Sequence, residues 1–339
     1  MEVSLAFTTL LAALGWADVT GGETLDDVGE FGLLARILPT LGQGEHVRVG
    51  PGDDAAVLAL GSTLLVACTD VLVEGSHFRR DWSSAHDVGR KAVAVNLADV
   101  AAMGARPTAV LAGVCVPGDL EVSWLTGLAE GLRDEAAAAG SSLVGGDTVA
   151  GEQVCVTVTA LGVLDGPVVT RAGARPGDIV AVCGRLGHAA AGLAVLQRGF
   201  RSPRALVDAH RCPAPPYAAG PRAAALGATA MIDISDGLLA DVGHVAEASS
   251  VAVTLVADSV GVDASLEQMG RGLGVDVRSW VFGGGEDHAL VACFPAAAEL
   301  DDQWRVIGRV EAGRGVTVEG WDDVPRDLPR SGGHEHFGR

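Results

Sequence analysis

A chain of 339 residues, 48% of them hydrophobic, can bury a sizeable core and has room for two domains, which sets disorder aside. Its formal net charge of -19 repels nucleic acid and anionic membranes, and no Lys/Arg cluster offers a local exception. No apolar run is long enough to span a membrane, and the N-terminus lacks the basic segment and cleavage site of a secretory signal.

Residues 1–24 read as an extension without chemistry. Residues 28–41 have helical spacing at Phe31, Leu34, Ile37 and Leu38. A loop closed by Asp53-Asp54 follows, then two strands at 55–60 and 63–68. The second strand delivers Thr69, Asp70, Gly75 and His77 to its tip, so it reads as a strand that carries chemistry rather than a plain surface turn.

Residues 84–104 are the best helix, opened by a capping box of Ser84 and Asp87. One face carries Val88, Lys91, Ala92, Val95, Asp99 and Ala102. A carboxylate on so apolar a face needs a cation or hydrogen bonds. A salt bridge from Arg90 or Arg106 is one way to supply it.

A strand at 108–116, a helix at 119–139 and a strand at 153–164 complete the first half. Asp165-Gly166-Pro167 marks the domain boundary, giving 1–24 as extension, 25–165 as the N-terminal domain and 166–339 as the C-terminal α/β domain. The second half alternates in the same way, with strands at 179–183, 229–234, 251–256, 289–294 and 304–310, helices at 188–198, 218–226 and 238–248, and a further helical stretch at 205–209. The alternation predicts an α/β (α+β) fold in two halves.

Acidic stretches beside glycines recur and read as turns: Gly52-Asp53-Asp54, Asn96 to Asp99, Gly145-Gly146-Asp147-Thr148, Asp233 to Gly237 and Gly283 to Asp287. If they converge, Asp54, Asp70, Asp99, Asp147, Asp233 and Asp236 repel one another unless divalent cations lie between them. Mg²⁺, held by a few carboxylates plus substrate phosphates, suits single Asp residues on many elements. Zinc does not, since Cys and His never cluster with ligand spacing. Glycines beside the acids let backbone N–H groups approach phosphate, although a Gly-Gly-Gly run alone is more often a flexible loop. Lone His77 reads as a surface residue or as a contact to substrate. His334-Glu335-His336 is not expected to be a metal site.

Lys91 is the only lysine, the other 23 of the 24 basic residues being Arg. Gly89-Arg90-Lys91-Ala92 does not fit a Walker A loop, and the protein-kinase motifs are missing. Phosphate would have to be met by metal ions and a few arginines. Six cysteines (Cys68, Cys115, Cys155, Cys183, Cys212, Cys293) show no CxxC pairing and read as small buried hydrophobes in a reducing, cytoplasmic compartment.

Taken in order, Gly29-Glu30-Phe31, Gly52 to Ala56, Thr69 to Phe78, Ala94 to Ala105, Gly145 to Thr148, Arg171 to Asp178, Asp233 to Leu238, Gly283 to Asp287 and His336-Phe337 resemble the thiamine-monophosphate kinases, within the aminoimidazole-ribonucleotide-synthetase-like superfamily. The resemblance implies a two-domain fold, a homodimer joined through N-terminal sheets, and ATP- and Mg²⁺-dependent phosphorylation of thiamine monophosphate to thiamine diphosphate. By motif it implies Mg²⁺ ligands at Asp54, Thr69, Asp70, Asp99, Asp147, Asp233 and Asp236. It implies nucleotide contacts at Gly146, Asp147, Arg171 and Ser235, and substrate contacts at His77, Glu286 and His334. Asp70, Asp147 and Arg171 would act electrostatically, and no general base is assigned.

The chain departs from the pattern at three places. Cys68 stands for a Ser or Thr, Ala98 for a Ser, and His334 for an aromatic residue. Two alternatives stand beside this reading. One is another ATP-using enzyme of the superfamily, although no Cys precedes Cys68 and no Lys precedes Lys91, as a selenophosphate synthetase would need. The other is a catalytically silent relative that binds nucleotide or metal.

Overall fold

The computed structural model describes residues 47–50 and 52–321. The readings placed on 1–46 and 322–339, His334 and the His-Phe tail among them, lie outside the described residues.

The first half builds a six-stranded sheet in the order β1-β2-β3-β6-β4-β5. Its strands are Val47–Val49 (β1), Ala56–Leu60 (β2), Thr63–Val73 (β3), Arg106–Val116 (β4), Leu143–Ala150 (β5) and Cys155–Val163 (β6). Neighbours are antiparallel except β4 and β5. β6 shows the rule that organises it: Val156, Val158 and Ala160 are buried, while Thr157 and Thr159 between them face the other way. The buried face packs against helix α1 (Ala85–Ala102) and helix α2 (Val122–Ala138). The opposite face leaves Val71, Leu111 and Val149 exposed.

The second half builds another six-stranded sheet, β12-β9-β11-β7-β10-β8. Its strands are Ile179–Cys183 (β7), Ala230–Asp233 (β8), Ala252–Val256 (β9), Leu290–Phe294 (β10), Arg305–Glu311 (β11) and Gly315–Glu319 (β12). Its helices are His188–Gln197 (α3), Arg204–Arg211 (α4), Ala219–Ala225 (α5), Leu238–Ser249 (α6), Ala257–Val260 (α7), Ala264–Leu273 (α8) and Val277–Gly283 (α9). β10 is buried on both faces, which explains its unbroken apolar run. Val291 and Cys293 join the core under α6 and α9. Leu290, Ala292 and Phe294 join another that includes Ala219 and Ala223 of α5 and Ala101 and Ala102 of α1.

α1 is therefore shared by both halves. It is apolar nearly all round, as a helix between two layers must be. Its start is the capping box read from the sequence: Asp87 N donates to Ser84 Oγ (3.2 Å), and Ser84 N donates to Asp87 Oδ2 (3.0 Å).

Three expectations change. Thr69 and Asp70 are not at a strand tip, because β3 runs on to Val73 and pairs with β6 throughout. Gly145 to Thr148 is not a turn; it lies in β5, where a Cβ on Gly146 would sit 2.1 Å from the Ala112 carbonyl oxygen. Asn96 to Asp99 lies inside α1. Of the six cysteines, all free, only Cys183 and Cys293 are fully buried. α7, α8, α9 and β12 go unread in the sequence. α8 did carry its signals: the Asp263 side chain accepts from Ser265 N (2.7 Å), and Gly274 closes the helix at φ 67°.

α1 and α2 cross at glycines. A Cβ on Gly131 would lie 2.1 Å from the His86 carbonyl oxygen, and one on Gly89 would lie 2.2 Å from that of Leu128. Gly131→Ala is expected to push the helices apart and destabilise by about 1–3 kcal/mol. Thermal unfolding checks this against Gly118→Ala, where the added carbon meets nothing within 4 Å and the midpoint should hold.

Candidate active site

Three elements bring three carboxylates together. Asp54 comes from the turn before β2, Asp99 from α1, and Asp233 from the last position of β8. One oxygen of each lies within 4.8 Å of the other two. Octahedral Mg²⁺ with bonds of about 2.0–2.1 Å places its oxygens roughly 2.9 Å (adjacent) to 4.2 Å (opposite) apart, and the trio is close enough to close on such an ion. The Asp54 side chain is 1% exposed, and its Oδ2 is buried without a hydrogen-bond partner. Such an orphan costs on the order of 1–3 kcal/mol, and more for a charged group. An oxygen-seeking divalent cation is the partner this donor set fits.

The electrostatics agree. Burial, opposed by Arg171 and reinforced by Asp233, pushes Asp54 up to about 8. Burial and the charges of Asp233, Asp70 and Asp54 hold Asp99 well above the carboxylate range. Asp70 thus adjoins the trio, and its backbone is fixed from α1: Asp70 N donates to Asn96 Oδ1 (2.8 Å), and Asn96 Nδ2 donates to the Ala92 carbonyl (2.9 Å). The Cys68 thiol, 3.2 Å from the Asn96 carbonyl, also neighbours Asp99. The salt bridge left open for Asp99 is not made: Arg90 pairs with Glu135 and Arg106 with Asp165.

Arg171 crosses from the second half. Its Nε donates to Asp54 Oδ1 (3.1 Å), Nη2 bonds the same oxygen, and its backbone N–H donates to Asp53 Oδ2 (3.0 Å). The predicted nucleotide arginine is thus seated on a predicted metal ligand.

The loop from Gly283 to His288 is packed tightly, unlike a flexible glycine run. A Cβ on Gly285 would lie 2.4 Å from the Ser235 carbonyl oxygen, and one on Gly284 would lie 2.3 Å from that of Trp280. Glu286 and His288 take φ of 64° and 50°, strained for residues with side chains. Three successive side chains then serve three places. Glu286 meets Lys91, Nζ to both carboxylate oxygens at 3.0 Å. Asp287 accepts from Gly187 N and from Ala189 N (2.9 Å) at the start of α3. His288 Nδ1 lies 2.7 Å from Asp233 Oδ2. Burial opposes a proton on His288, but the bond to Asp233 and the charges of Asp233 and Glu286 together outweigh it and raise the imidazole.

The other predicted residues are placed apart. Asp236 groups with Asp241 and His244. Asp241 Oδ2 accepts from Asp236 N and Gly237 N, and burial raises its carboxyl well above the usual range. Ser235 is exposed beside this group, its carbonyl accepting from Glu286 N (2.8 Å). His77 accepts from Val73 N at Nδ1 (3.0 Å).

Thr69 and Asp147 lie on the wrong face to join the trio within this chain. The register Asp70↔Val158, Val158↔Ala112 and Ala112↔Gly146 puts Asp70 on the helix-packed face. The adjacent row, Val71↔Thr157, Thr157↔Gly113 and Gly113↔Asp147, is on the open face. Asp147 is also three strands from β3, roughly 14 Å. It lines a shallow recess of about 200 Å³ with Gly113, Cys115, Val149, Cys155 and Thr157. Thr69 shares that face, 3.2 Å from Thr159 Oγ1.

The AIR synthase related protein, N-terminal domain, family matches residues 52–164. A thiamine-monophosphate kinase of Mycobacterium tuberculosis is 46% identical over 304 residues, 89% of this chain and 91% of the relative. The chain belongs to the thiamine-monophosphate kinase family. A Corynebacterium glutamicum member is 38% identical over 312 residues, 89% of this chain and 92% of the relative. A solved structure described as AaThiL complexed with AMPPCP and TMP superposes with TM-score 0.85 at 33% identity, covering 94% of this chain and 100% of the other. The family explains the α+β fold and the motif order. No helix among the described residues is long and apolar enough to cross a membrane.

Sequence reasoning missed Asn96, His288, Asp53, Asp241 and the use of Lys91. Asn96 stands three residues before Asp99, a spacing that puts both on one helix face. His288 directly follows the Gly283 to Asp287 motif.

Carboxyls raised on folding keep their protons in the folded state. The stability they contribute is therefore full below the unfolded value of about 4 and is lost as pH rises toward 8 for Asp54. Chelator-treated protein should lose stability from pH 5 to pH 8, at about 1.4 kcal/mol per unit of displacement. Added Mg²⁺ should restore it most at pH 8, and Asp99→Asn should flatten both effects. Thermal unfolding across pH with and without Mg²⁺ measures this.

Proposed function

We propose that this chain transfers the terminal phosphoryl group of ATP to thiamine monophosphate, giving thiamine diphosphate, in the cytoplasm and as a homodimer. The observation that carries the reading is the Asp54–Asp99–Asp233 trio with its buried, orphaned Asp54 oxygen, in a chain 46% identical to a thiamine-monophosphate kinase.

Asp54, Asp70, Asp99 and Asp233 would hold Mg²⁺, with Asp236 serving a further ion from its own group. Mg²⁺ bound there neutralises phosphate charge and spares two anions their repulsion. Arg171, aimed by Asp53 and Asp54, would add a fixed positive charge at the phosphates. Ser235 and the N–H groups beside Gly146 would meet the nucleotide, and His77 and Glu286 the acceptor. The acceptor phosphate has its second pKa near 6 and is largely ionised at pH 7. Its oxygen attacks in line as it stands, and no side chain need remove a proton. Catalysis is then positioning and electrostatics, without a phosphoenzyme. The two halves of the chain would act as two domains around these residues, 25–165 and 166–339, after an extension of 1–24.

The face bearing Thr69 and Asp147 supports the dimer. A second copy laid on the open sheet would cover Val71, Leu111 and Val149 and bring its own Asp147 toward the first copy's phosphates. Asp147 would then act in trans, which reconciles its family role with its place on the opposite face.

A coupled assay with ATP, Mg²⁺ and thiamine monophosphate, with free thiamine as control, tests the reaction. Product from the monophosphate alone, lost in Asp70→Asn, is expected. The trans arrangement has its own test. Asp70→Asn and Asp147→Asn should each be inactive, yet mixing and reassociating them should recover about a quarter of wild-type activity, since half of the dimers then carry one intact site. Sites built in cis would recover none.

A further inference from the structure

Lys91 is 1% exposed in the middle of α1. Burying an ammonium costs several kcal/mol unless each N–H is met. Here all three are met, by the His77 carbonyl (3.0 Å) and by both oxygens of Glu286 (3.0 Å each). The turn after β3, the middle of α1 and the Gly283 to His288 loop thus converge on one nitrogen. Beside it, His210 is 7% exposed with Nδ1 3.6 Å from Glu286 Oε2 and without a hydrogen bond. Trp82 sets its ring edge-on at 6.3 Å. The metal trio and the nucleotide contacts make no use of Lys91, and its spent donors leave it none for a ligand. An apolar side chain would fill the same space without the desolvation cost, so the fold alone does not require an ammonium there.

We propose that Lys91 is a positioning residue for the acceptor: it fixes the Glu286 carboxylate, beside the His77 turn, in the orientation that receives thiamine monophosphate, without touching the substrate. The inference rests on the assignment of His77 and Glu286 to the acceptor. Glu286 sits at φ 64°, and two bonds from one ammonium nitrogen, one to each oxygen, hold its carboxylate in place.

The test compares Lys91→Met, Glu286→Gln and the double variant in the full-length enzyme. KM and kcat for each substrate are measured, with calorimetric binding of thiamine monophosphate without ATP and thermal unfolding as companions. Lys91→Met should raise the KM for thiamine monophosphate by about tenfold, the loss of one charge-assisted contact, and leave the KM for ATP within about twofold. If Lys91 works through Glu286, the double variant should bind the acceptor no worse than Glu286→Gln alone. The double variant also has no uncompensated carboxylate, so it keeps the comparison open if Lys91→Met unfolds. Equal rises in both KM values, or additive effects in the double variant, would overturn the proposal and make Lys91 purely structural. If Glu286→Gln leaves acceptor binding intact in an active enzyme, the acceptor assignment falls and the tether with it. Inactivity of the wild type toward thiamine monophosphate would instead count against the function itself.

Discussion

The structure depends on keeping like charges close. Asp54, Asp99 and Asp233 converge, and for Asp54 and Asp99 mutual repulsion and desolvation both act against ionisation. Two of them have local relief, Asp54 from Arg171 and Asp233 from His288. Asp99, deep in the shared helix, neighbours only the Cys68 thiol and further carboxylates among the groups that perturb it. The protein neutralises this arrangement only in part, and the divalent cation proposed for it would supply the rest. Metal binding would then be coupled to proton release, and affinity for a phosphate ligand would be conditional on the metal.

Both halves of the chain meet at this place because α1 is common to them. Its early residues pack under the first sheet and its last alanines under the second. It carries Lys91, Asn96 and Asp99, the last two three residues apart and so side by side on the helix. Opposite it runs the Gly283 to His288 loop, whose two left-handed residues are held by packing rather than preference. Strain of this kind persists only where surroundings over-determine it. Each of Glu286, Asp287 and His288 is tied to a different partner, which is the over-determination. α1 and the loop form the two jaws, and Lys91–Glu286 is the bond across them.

Much of this is legible in the sequence. Period and capping signals locate α1, and apolar runs locate most strands. Acidic stretches beside glycines mark Asp54 and Asp233, and a carboxylate on an apolar helical face marks Asp99, without any geometry. What is not legible is which face of the sheet each acid takes. Thr69 and Asp70 are neighbours in sequence and point to opposite faces once β3 is seen to continue through them. Gly146-Asp147 has the look of a phosphate turn, yet the missing side chain of Gly146 serves close pairing with β4 instead. Lys91 has only one loop motif to be tested against in the sequence, and it does not fit. Its true partner lies 195 residues away, a separation that no local pattern reports.

Strand alternation carries the last step. A single strand that presents Thr69 to one face and Asp70 to the other can serve a ligand only at its margin, where both faces are within reach. An extended triphosphate is such a ligand, since its phosphates and metal ions can be gripped from more than one side. In a chain of net charge -19, the overall field does not draw that anion in. In the proposed site, attraction would be local, from metal, Arg171 and backbone N–H groups, and would have to overcome the carboxylates around them. A sheet face open along Val71, Leu111 and Val149 offers the remaining grip only when another surface closes over it. In the proposed dimer, the same apolar residues that would join two copies would also place Asp147 of each near the acids of the other, so that assembly and site completion would be one event.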